Sequence, residues 1–429
     1  NQLNIIYQKI PGFQEKKKKI LQNCNKIAFC CNFTTLNESM QYFVEIVIST
    51  IPFFAWFYLL FFYANRKFRF NELFWKSNIK IENQKIHRGA LKQNFSICFI
   101  IPARNEEKYI AQTIKSILSQ KIKKFVLIVD DNSSDNTEKK AKQTFRKAKF
   151  SQFKIINGKK LPINWSGKVW ALKQGVDAAI KKKFSHFVFI DADIILKDKV
   201  ITKTLNFMSE RKLSMLSLMA KLKCVTFWEN LLIPSFIYFF QKLYPFSKVN
   251  NHNDNVAAAA GGFIMCKTEL FKKINLYELI KSKIIDDCNL AKIIKDSGNH
   301  IWLGLTNLVE SQRNYSKLEQ VWKMVTRTAY EQLNNSILIL ITSIIGMVMI
   351  YLMPFINLIH QNSINLIIIN LTSIFLMFLS FLPTAKFYNL TFVFYFSLPI
   401  SSIIYMLMTI NSAYNYYFKN GNVWKGRKY

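Results

Sequence analysis

Histidine and arginine are scarce in this chain. Its five histidines (His87, His186, His252, His300 and His360) are dispersed and make no zinc-ligand spacing. Only nine residues are arginine, although lysine and arginine together number 59 against 26 acids, a formal net charge of +33. Readers of duplex nucleic acid favour arginine for bidentate contacts to bases. A charge carried almost wholly by lysine therefore excludes nucleic acid as the expected partner and suits anionic lipid headgroups better. The seven cysteines are odd in number, irregular in spacing, and several sit in apolar runs. They read as reduced packing residues, not as a disulfide framework. Near the start of the chain there is no apolar run followed by a small-residue cleavage site, so no signal peptide is expected there.

Apolar residues are what the chain has in plenty: half of it is hydrophobic and 15% is aromatic. Residues 1–39 are polar and lysine-rich (Lys16 to Lys19) and are expected to be a disordered or spurious extension ahead of Met40. Tyr42 to Tyr63, within a segment 40–63, is long enough to cross about 30 Å of hydrocarbon as a helix. Arg66, Lys67, Arg69, Lys76, Lys80, Lys85 and Arg88 follow in a basic linker, 64–94, and place the next domain in the cytoplasm by the positive-inside rule. Near the other end, Leu318, Val321, Trp322, Val325, Ala329, Tyr330 and Leu333 keep helical spacing, which predicts an amphipathic interfacial helix within 316–335. Three further apolar stretches (Ile337–Ile359, Ile364–Phe381 and Asn389–Ile410) make 336–411 a membrane region, ahead of a basic tail at 412–429.

Between the membrane segments, residues 95–315 alternate strand and helix. Apolar strands are expected at Phe95–Ile101, Phe125–Val129, Phe153–Ile156 and Phe187–Ile190, and helices at Tyr109–Gln120, from Thr137, and at Val169–Ile180. This succession predicts an α/β domain with a mostly parallel sheet, whose ligands bind beyond the carboxyl ends of the strands. Glu106, Asp130 and Asp131, and Asp191 and Asp193 all fall just past such ends. If the fourth strand runs to its last carboxylate, Asp191 and Asp193 share a face and suit a hard divalent cation. Asp286 and Asp287 open a further helix that ends before Gly298. Phe227–Phe246 is nearly long enough to span, but a crossing there would put Asp191 and Asp287 on opposite sides of the membrane. It is expected to lie in the interface or to re-enter, with a buried core helix as the other reading. The small residues Ala257 to Ala260, Gly261 and Gly262 permit a close approach. Together these carboxylates suit sugar transfer from a nucleotide donor: one accepts from a base, two seat a metal, and another takes a proton from the attacking hydroxyl.

Pro102-Ala103-Arg104-Asn105-Glu106, Val129-Asp130-Asp131-Asn132-Ser133-Ser134-Asp135 and Asp191-Ala192-Asp193 resemble the inverting family 2 glycosyltransferases of the GT-A fold. Asn164-Trp165-Ser166-Gly167-Lys168-Val169-Trp170-Ala171, Phe239 to Phe246, Ala258 to Gly262, Ile285 to Cys288, Ile301 to Thr306, Met324 to Ala329 and Trp424 to Arg427 resemble more narrowly the membrane glycosyltransferases associated with hopanoid biosynthesis. The resemblance covers about Tyr42 to Tyr429. It implies a GT-A domain between one N-terminal and about three C-terminal membrane helices, in a bacterial inner membrane with the catalytic domain cytoplasmic. Glu106, Asp130, Asp131, Lys168 and Arg327 would bind the donor, a nucleotide-sugar such as a UDP-sugar. Asp191 and Asp193 would hold Mg²⁺ or Mn²⁺, Asp287 with Asp286 would be the base, and Gly261 and Gly262 would border a lipid acceptor. The Gln-x-x-Arg-Trp motif of processive members is missing, which argues against the alternative of a polysaccharide synthase. A non-catalytic lipid-binding scaffold is the third reading, and the intact acidic set speaks against it.

Overall fold

The computed structural model describes residues 38–63 and 96–419, with the backbone of 423–424 and 427–428. The extension at 1–39 and the basic linker at 64–94 fall almost entirely outside these residues. One sheet is built from β1 (Ile97–Ala103), β2 (Lys124–Asp130), β3 (Phe153–Asn157), β4 (His186–Ile190), β5 (Ile194–Leu196), β6 (Met215–Lys221), β7 (Phe263–Lys267) and β8 (Ile301–Ser311). Their order is β3-β2-β1-β4-β7-β6-β8-β5. Strands β1 to β4 are mutually parallel where they pair, β7 runs antiparallel to β4 and β6, and β8 is parallel to β6. The helices Ile110–Leu118, Thr137–Lys147 and Gly167–Ala179 connect the first four strands, as the alternating pattern predicts.

Period-two alternation sorts β1 between two cores. Ile97, Phe99 and Ile101 pack on one face with Ile110, Ile114 and Phe145, while Cys98 and Ile100 pack on the other with Val169, Leu172 and Val176. All five of those β1 residues are fully buried. Burying each of the larger ones contributes about 1.5–3 kcal/mol. The helix Gly167–Ala179 lies so close to the sheet that a Cβ on Gly175 would meet Ile100 Cγ2 at 2.5 Å. Among the described residues, Cys98, Cys224, Cys266 and Cys288 are free thiols.

Three helices are long and apolar enough to cross a membrane: Tyr42–Phe61, Ile337–His360 and Ile364–Phe387. Two of them, not three, follow the α/β domain. The stretch expected to span at Asn389–Ile410 breaks into a 3-10 turn, Phe392–Phe396, and a helix, Leu398–Phe418. That helix carries a polar stripe used for docking. Ser412 Oγ donates to the Thr326 carbonyl (2.6 Å), and Asn411 accepts from the Trp322 indole (2.9 Å). The amphipathic helix is shorter than its periodicity suggests, Leu318–Thr326, and the chain then turns into a 3-10 segment, Glu331–Leu333.

Phe227–Phe246 forms a helix, Phe227–Leu243, opened by a capping box between Thr226 and Glu229 and buried within the protein through its middle, as the core-helix reading expects. Leu232, Ile233 and Ile237 are essentially inaccessible. The hydroxyls of Ser401 and Tyr405 donate to the carbonyls of Leu231 and Leu232, both at 2.9 Å. The apolar middle of the helix, Leu231 to Phe240, is long enough that most of its circumference has to be covered.

Polar contacts also join the spans. Asn370 Nδ2 donates to Ser49 Oγ at 3.0 Å, and Asn357 Nδ2 reaches the same hydroxyl at 3.3 Å, tying the N-terminal helix to both C-terminal ones. Pro354 has no N–H to offer the carbonyl four residues before it. That carbonyl, Ile350 O, accepts instead from the Trp56 indole at 3.1 Å.

Candidate active site

The loops after β1 and β2 interlock. Asn105 takes a positive φ of 54°, its N–H donates to Ser133 Oγ (3.0 Å), and its Oδ1 accepts from Ser134 N–H (2.8 Å). Arg104 donates to the Asp131 carbonyl at 2.6 Å. This brings Glu106 and Asp131 onto the wall of one cavity. Asp130 turns the other way: its Oδ1 accepts from both the N–H and the hydroxyl of Ser133, and it does not line the cavity. Its carboxylate thus closes a local turn.

Strand β4 ends at Ile190, so the shared-face argument for Asp191 and Asp193 does not apply; both sit in the turn that follows. They meet different cations. Asp191 Oδ1 lies 3.1 Å from Lys168 Nζ, at the start of the helix Gly167–Ala179. Asp193 Oδ2 accepts from Ser311 Oγ (2.9 Å) and pairs with Arg313 Nε (2.8 Å). The same guanidinium reaches Glu106 Oε1 at 2.5 Å. Arg313 therefore joins the β1 loop to the β4 turn from the far end of β8. Sequence reasoning missed it. Its only local signal is a cation just past a long apolar strand, and its partners are distant in the chain.

Lys168 also lies 3.8 Å from Asp286 Oδ2. Burial alone would lower its pKa, but Asp191, Asp286 and Asp287 outweigh burial and hold it above the usual lysine value. Asp287 is braced at both oxygens: Oδ2 accepts from Gly261 N–H (2.6 Å) and Oδ1 from Cys288 N–H (2.8 Å). Burial pushes the Asp286 carboxyl up to about 6; Lys168 opposes this, and Asp287 and Asp191 add to it. Burial raises Asp287 as well, against Lys168 and its two backbone donors. A carboxyl with a pKa raised toward neutrality is suited to accept a proton. Gly261 cannot carry a side chain here without disturbing this centre, since a Cβ would sit 2.9 Å from Lys168 Nζ and 3.1 Å from Asp287 Oδ2. Gly262 faces Ala220 and Ile194, and both glycines line the cavity.

The cavity holds about 1040 Å³ and is continuous from these strand ends to the long apolar helices. Its far part is walled by Phe236, Phe239 and Phe240, by Ile344, Met347 and Ile350, and by Tyr351 and Tyr405. Arg327 stands on the wall at the end of the helix Leu318–Thr326.

The residues fit a hard divalent ion in a limited way. Among the described residues no three His, Cys, Asp or Glu side chains cluster as a ready ligand set. Asp191 keeps about a third of its side chain open (35%), whereas Asp193 is 7% exposed with one oxygen committed to Arg313 and Ser311. One or two carboxylates completed by phosphate oxygens is how Mg²⁺ is commonly held.

The description "Glycosyl transferase family 2" matches residues 98–275. An uncharacterized protein of Methanocaldococcus jannaschii is 36% identical over 107 residues, 25% of this chain and 44% of that protein. The 4,4'-diaponeurosporenoate glycosyltransferase of Staphylococcus aureus is 33% identical over 128 residues, 29% of this chain and 32% of that enzyme. The matched segments thus span less than half the length of these relatives. A mannosyltransferase from Pyrobaculum calidifontis, solved with GDP-Man and Mn²⁺, aligns with 86% of this chain and 98% of its own at 12% identity and a TM-score of 0.48. Glucosyl-3-phosphoglycerate synthase from Mycobacterium tuberculosis, solved with Mn²⁺, UDP and phosphoglyceric acid, aligns with 57% of this chain and 80% of its own at 14% identity and a TM-score of 0.37. The segment 98–275, which carries the acidic strand ends at Glu106, Asp131, Asp191 and Asp193, is thus similar to the glycosyl transferase family 2 domain.

Proposed function

We propose that this chain is a membrane-bound, inverting glycosyltransferase that moves a single sugar from a nucleotide-sugar to a lipid hydroxyl. The observation that carries the reading is the continuous cavity, which has carboxylates at its strand-end part and aromatic and aliphatic side chains between the membrane helices. A soluble acceptor has no use for the second part, whereas a hopanoid-type or polyisoprenoid lipid would fill it. Glu106 and Asp131 would contact the nucleoside of the donor, a UDP-sugar by preference, and Arg327 its diphosphate. Asp191, with Oδ1 of Asp193, would hold Mg²⁺ or Mn²⁺, which supplies positive charge to the departing diphosphate.

In this reading the Asp286/Asp287 pair removes the proton from the acceptor hydroxyl. The acceptor oxygen then bonds to the anomeric carbon as the bond from that carbon to the diphosphate oxygen breaks, and one displacement inverts the centre. Lys168 keeps the pair and Asp191 from repelling one another. Gly261 N–H fixes the Asp287 carboxylate, so that its orientation does not depend on the acceptor. The basic residues between Arg66 and Arg88 support a cytoplasmic face of a bacterial inner membrane for the site. The test is turnover of UDP-sugars in membranes carrying wild type, Asp287→Asn or Asp191→Ala, with lipid products read by mass spectrometry. Both variants should lose most of their product. Full activity in either overturns the roles of these two carboxylates, and a polymeric product overturns the single transfer.

A further inference from the structure

The loop that leaves β3 is Lys159-Lys160-Leu161-Pro162-Ile163, and the catalytic roles proposed for this chain make no use of it. Lys159 and Lys160 are exposed. Ile163 is 90% exposed, more than any other large apolar side chain among the described residues. The segment Leu279–Lys283 lies beside it: Ser166 N–H donates to the Lys281 carbonyl at 2.7 Å. This segment adds exposed Leu279 (61%), Lys281 and exposed Lys283. The loop is pinned in place, because Trp165 packs edge-on against Trp170 at 5.0 Å and the Trp170 indole donates to the Lys159 carbonyl at 3.2 Å.

Its position in the fold decides what it meets. The loop stands beyond the carboxyl ends of the parallel strands, the side toward which the cavity runs to the membrane helices. Past Lys283 the chain continues into Ile284 and Ile285, which line the same cavity as Gln332 and Leu333, the residues directly after Glu331. Glu331 lies just ahead of Ile337, where the apolar span Ile337–His360 begins. The patch is therefore tied to the level at which a bilayer surface would start. Its charge is Lys159, Lys160, Lys281 and Lys283, with Glu278 the acid nearby, 3.4 Å from Lys281. The chain's own lysine-rich extension and basic linker carry the same sign, as does a second copy of a chain with a net charge of +33. An anionic lipid surface is the complement.

We propose that residues 159–163 and 279–283 form a second membrane contact, with the lysines on anionic headgroups and Ile163 and Leu279 at the acyl boundary. It would hold the cavity wall at Ile284 and Ile285 against the bilayer, where a lipid acceptor enters. The proposal rests on the membrane part of the preceding reading and not on its chemistry.

The experiment uses the full chain in nanodiscs of phosphatidylcholine alone or mixed with phosphatidylglycerol. Ile163→Cys carries a nitroxide, wild type taken through the same labelling is the blank, and accessibility to oxygen and to a water-soluble nickel chelate reports depth. With phosphatidylglycerol the label should be open to oxygen and shielded from nickel. Replacing Lys159, Lys160 and Lys283 by Gln should return it to water, shifting the docked-to-free ratio by about fivefold for each lysine removed. Lys181→Gln, on an exposed lysine at the opposite end of the helix Gly167–Ala179, should change nothing. The depth signal should persist in Asp287→Asn, which separates this idea from the assignment of the base. A label open to nickel in both lipids overturns the proposal. So does one buried to the same depth whatever the lipid charge or the lysines, or one shielded from both reagents by a second copy.

Discussion

Replacing Arg313 by glutamine should cost this protein substantial stability, because two buried acids depend on it. One guanidinium serves two carboxylates, Glu106 Oε1 at 2.5 Å and Asp193 Oδ2 at 2.8 Å. The acid side chains are only 6% and 7% exposed, while Arg313 keeps 33% open to the cavity. Removing one partner of a buried pair leaves charge uncompensated and costs about 3–5 kcal/mol; with Arg313 partly solvated, about 3 kcal/mol is expected. For a domain of this size that lowers the unfolding midpoint by roughly 6–12 °C. The assay is thermal unfolding of purified wild type, Arg313→Gln, Glu106→Gln and the double variant in one detergent. Glu106→Gln removes one of the charges that Arg313 balances, so the double variant should lose less than the sum of the singles, by about 1–3 kcal/mol. If Arg313→Gln stays within about 0.5 kcal/mol of wild type, or if the singles simply add, the guanidinium is a solvated surface group and does not bridge the two acids.

Three further outcomes follow if the Asp286/Asp287 pair takes the acceptor proton as proposed. Because Asp286 must be ionised to accept a proton and sits at about 6, kcat/KM should fall as the pH drops through about 6, well above the ordinary aspartate range. Lys168→Gln should move that limb upward, since the ammonium is what favours the ionised pair; a profile flat to pH values near the aspartate range of free peptides, about 4, would contradict it. Gly261→Ala should cut kcat far more than it lowers the unfolding midpoint, because its Cβ would press on Lys168 Nζ and Asp287 Oδ2 and not on the core; unchanged kcat in this variant would mean that the two groups can separate without loss.

Much of the α/β domain was legible because its strands are short apolar runs closed by polar residues at their carboxyl ends. The strands beginning at Ile97, Lys124, Phe153 and His186 lie within two residues of where the pattern puts them. What failed did so for local reasons. The apolar run at Phe187–Ile190 does stop at Ile190, and Asp191 leaves the strand to reach Lys168. Phe227–Leu243 and a membrane-surface helix look alike in sequence, because apolarity on every side says that a helix is covered but not by what. The helix Leu398–Phe418 begins nine residues after the expected span at Asn389, and Ser401, Asn411 and Ser412 are spent on neighbouring helices. Arg313 was beyond reach, since an ion pair across 207 residues leaves no trace in spacing.

The placement of β8 has a consequence for the order in which the molecule is made. Among the described residues strand β5 has no sheet neighbour except β8, and β8 enters the sheet between β6 and β5. Such long-range pairing is slow to form, because a long loop must close before any contact repays it. Asp193 waits on the same event: its backbone carbonyl accepts from Gln312 N–H at 2.8 Å, and its carboxylate is held by Ser311 and Arg313. A nascent chain that has already produced Glu106, Asp131, Asp191 and Asp287 still has no finished seat at Asp193 until residues 301–313 emerge, shortly before the span at Ile337. The surroundings of Asp193 are thus completed only when the last strand of the sheet is made, just ahead of the apolar helix that begins at Ile337.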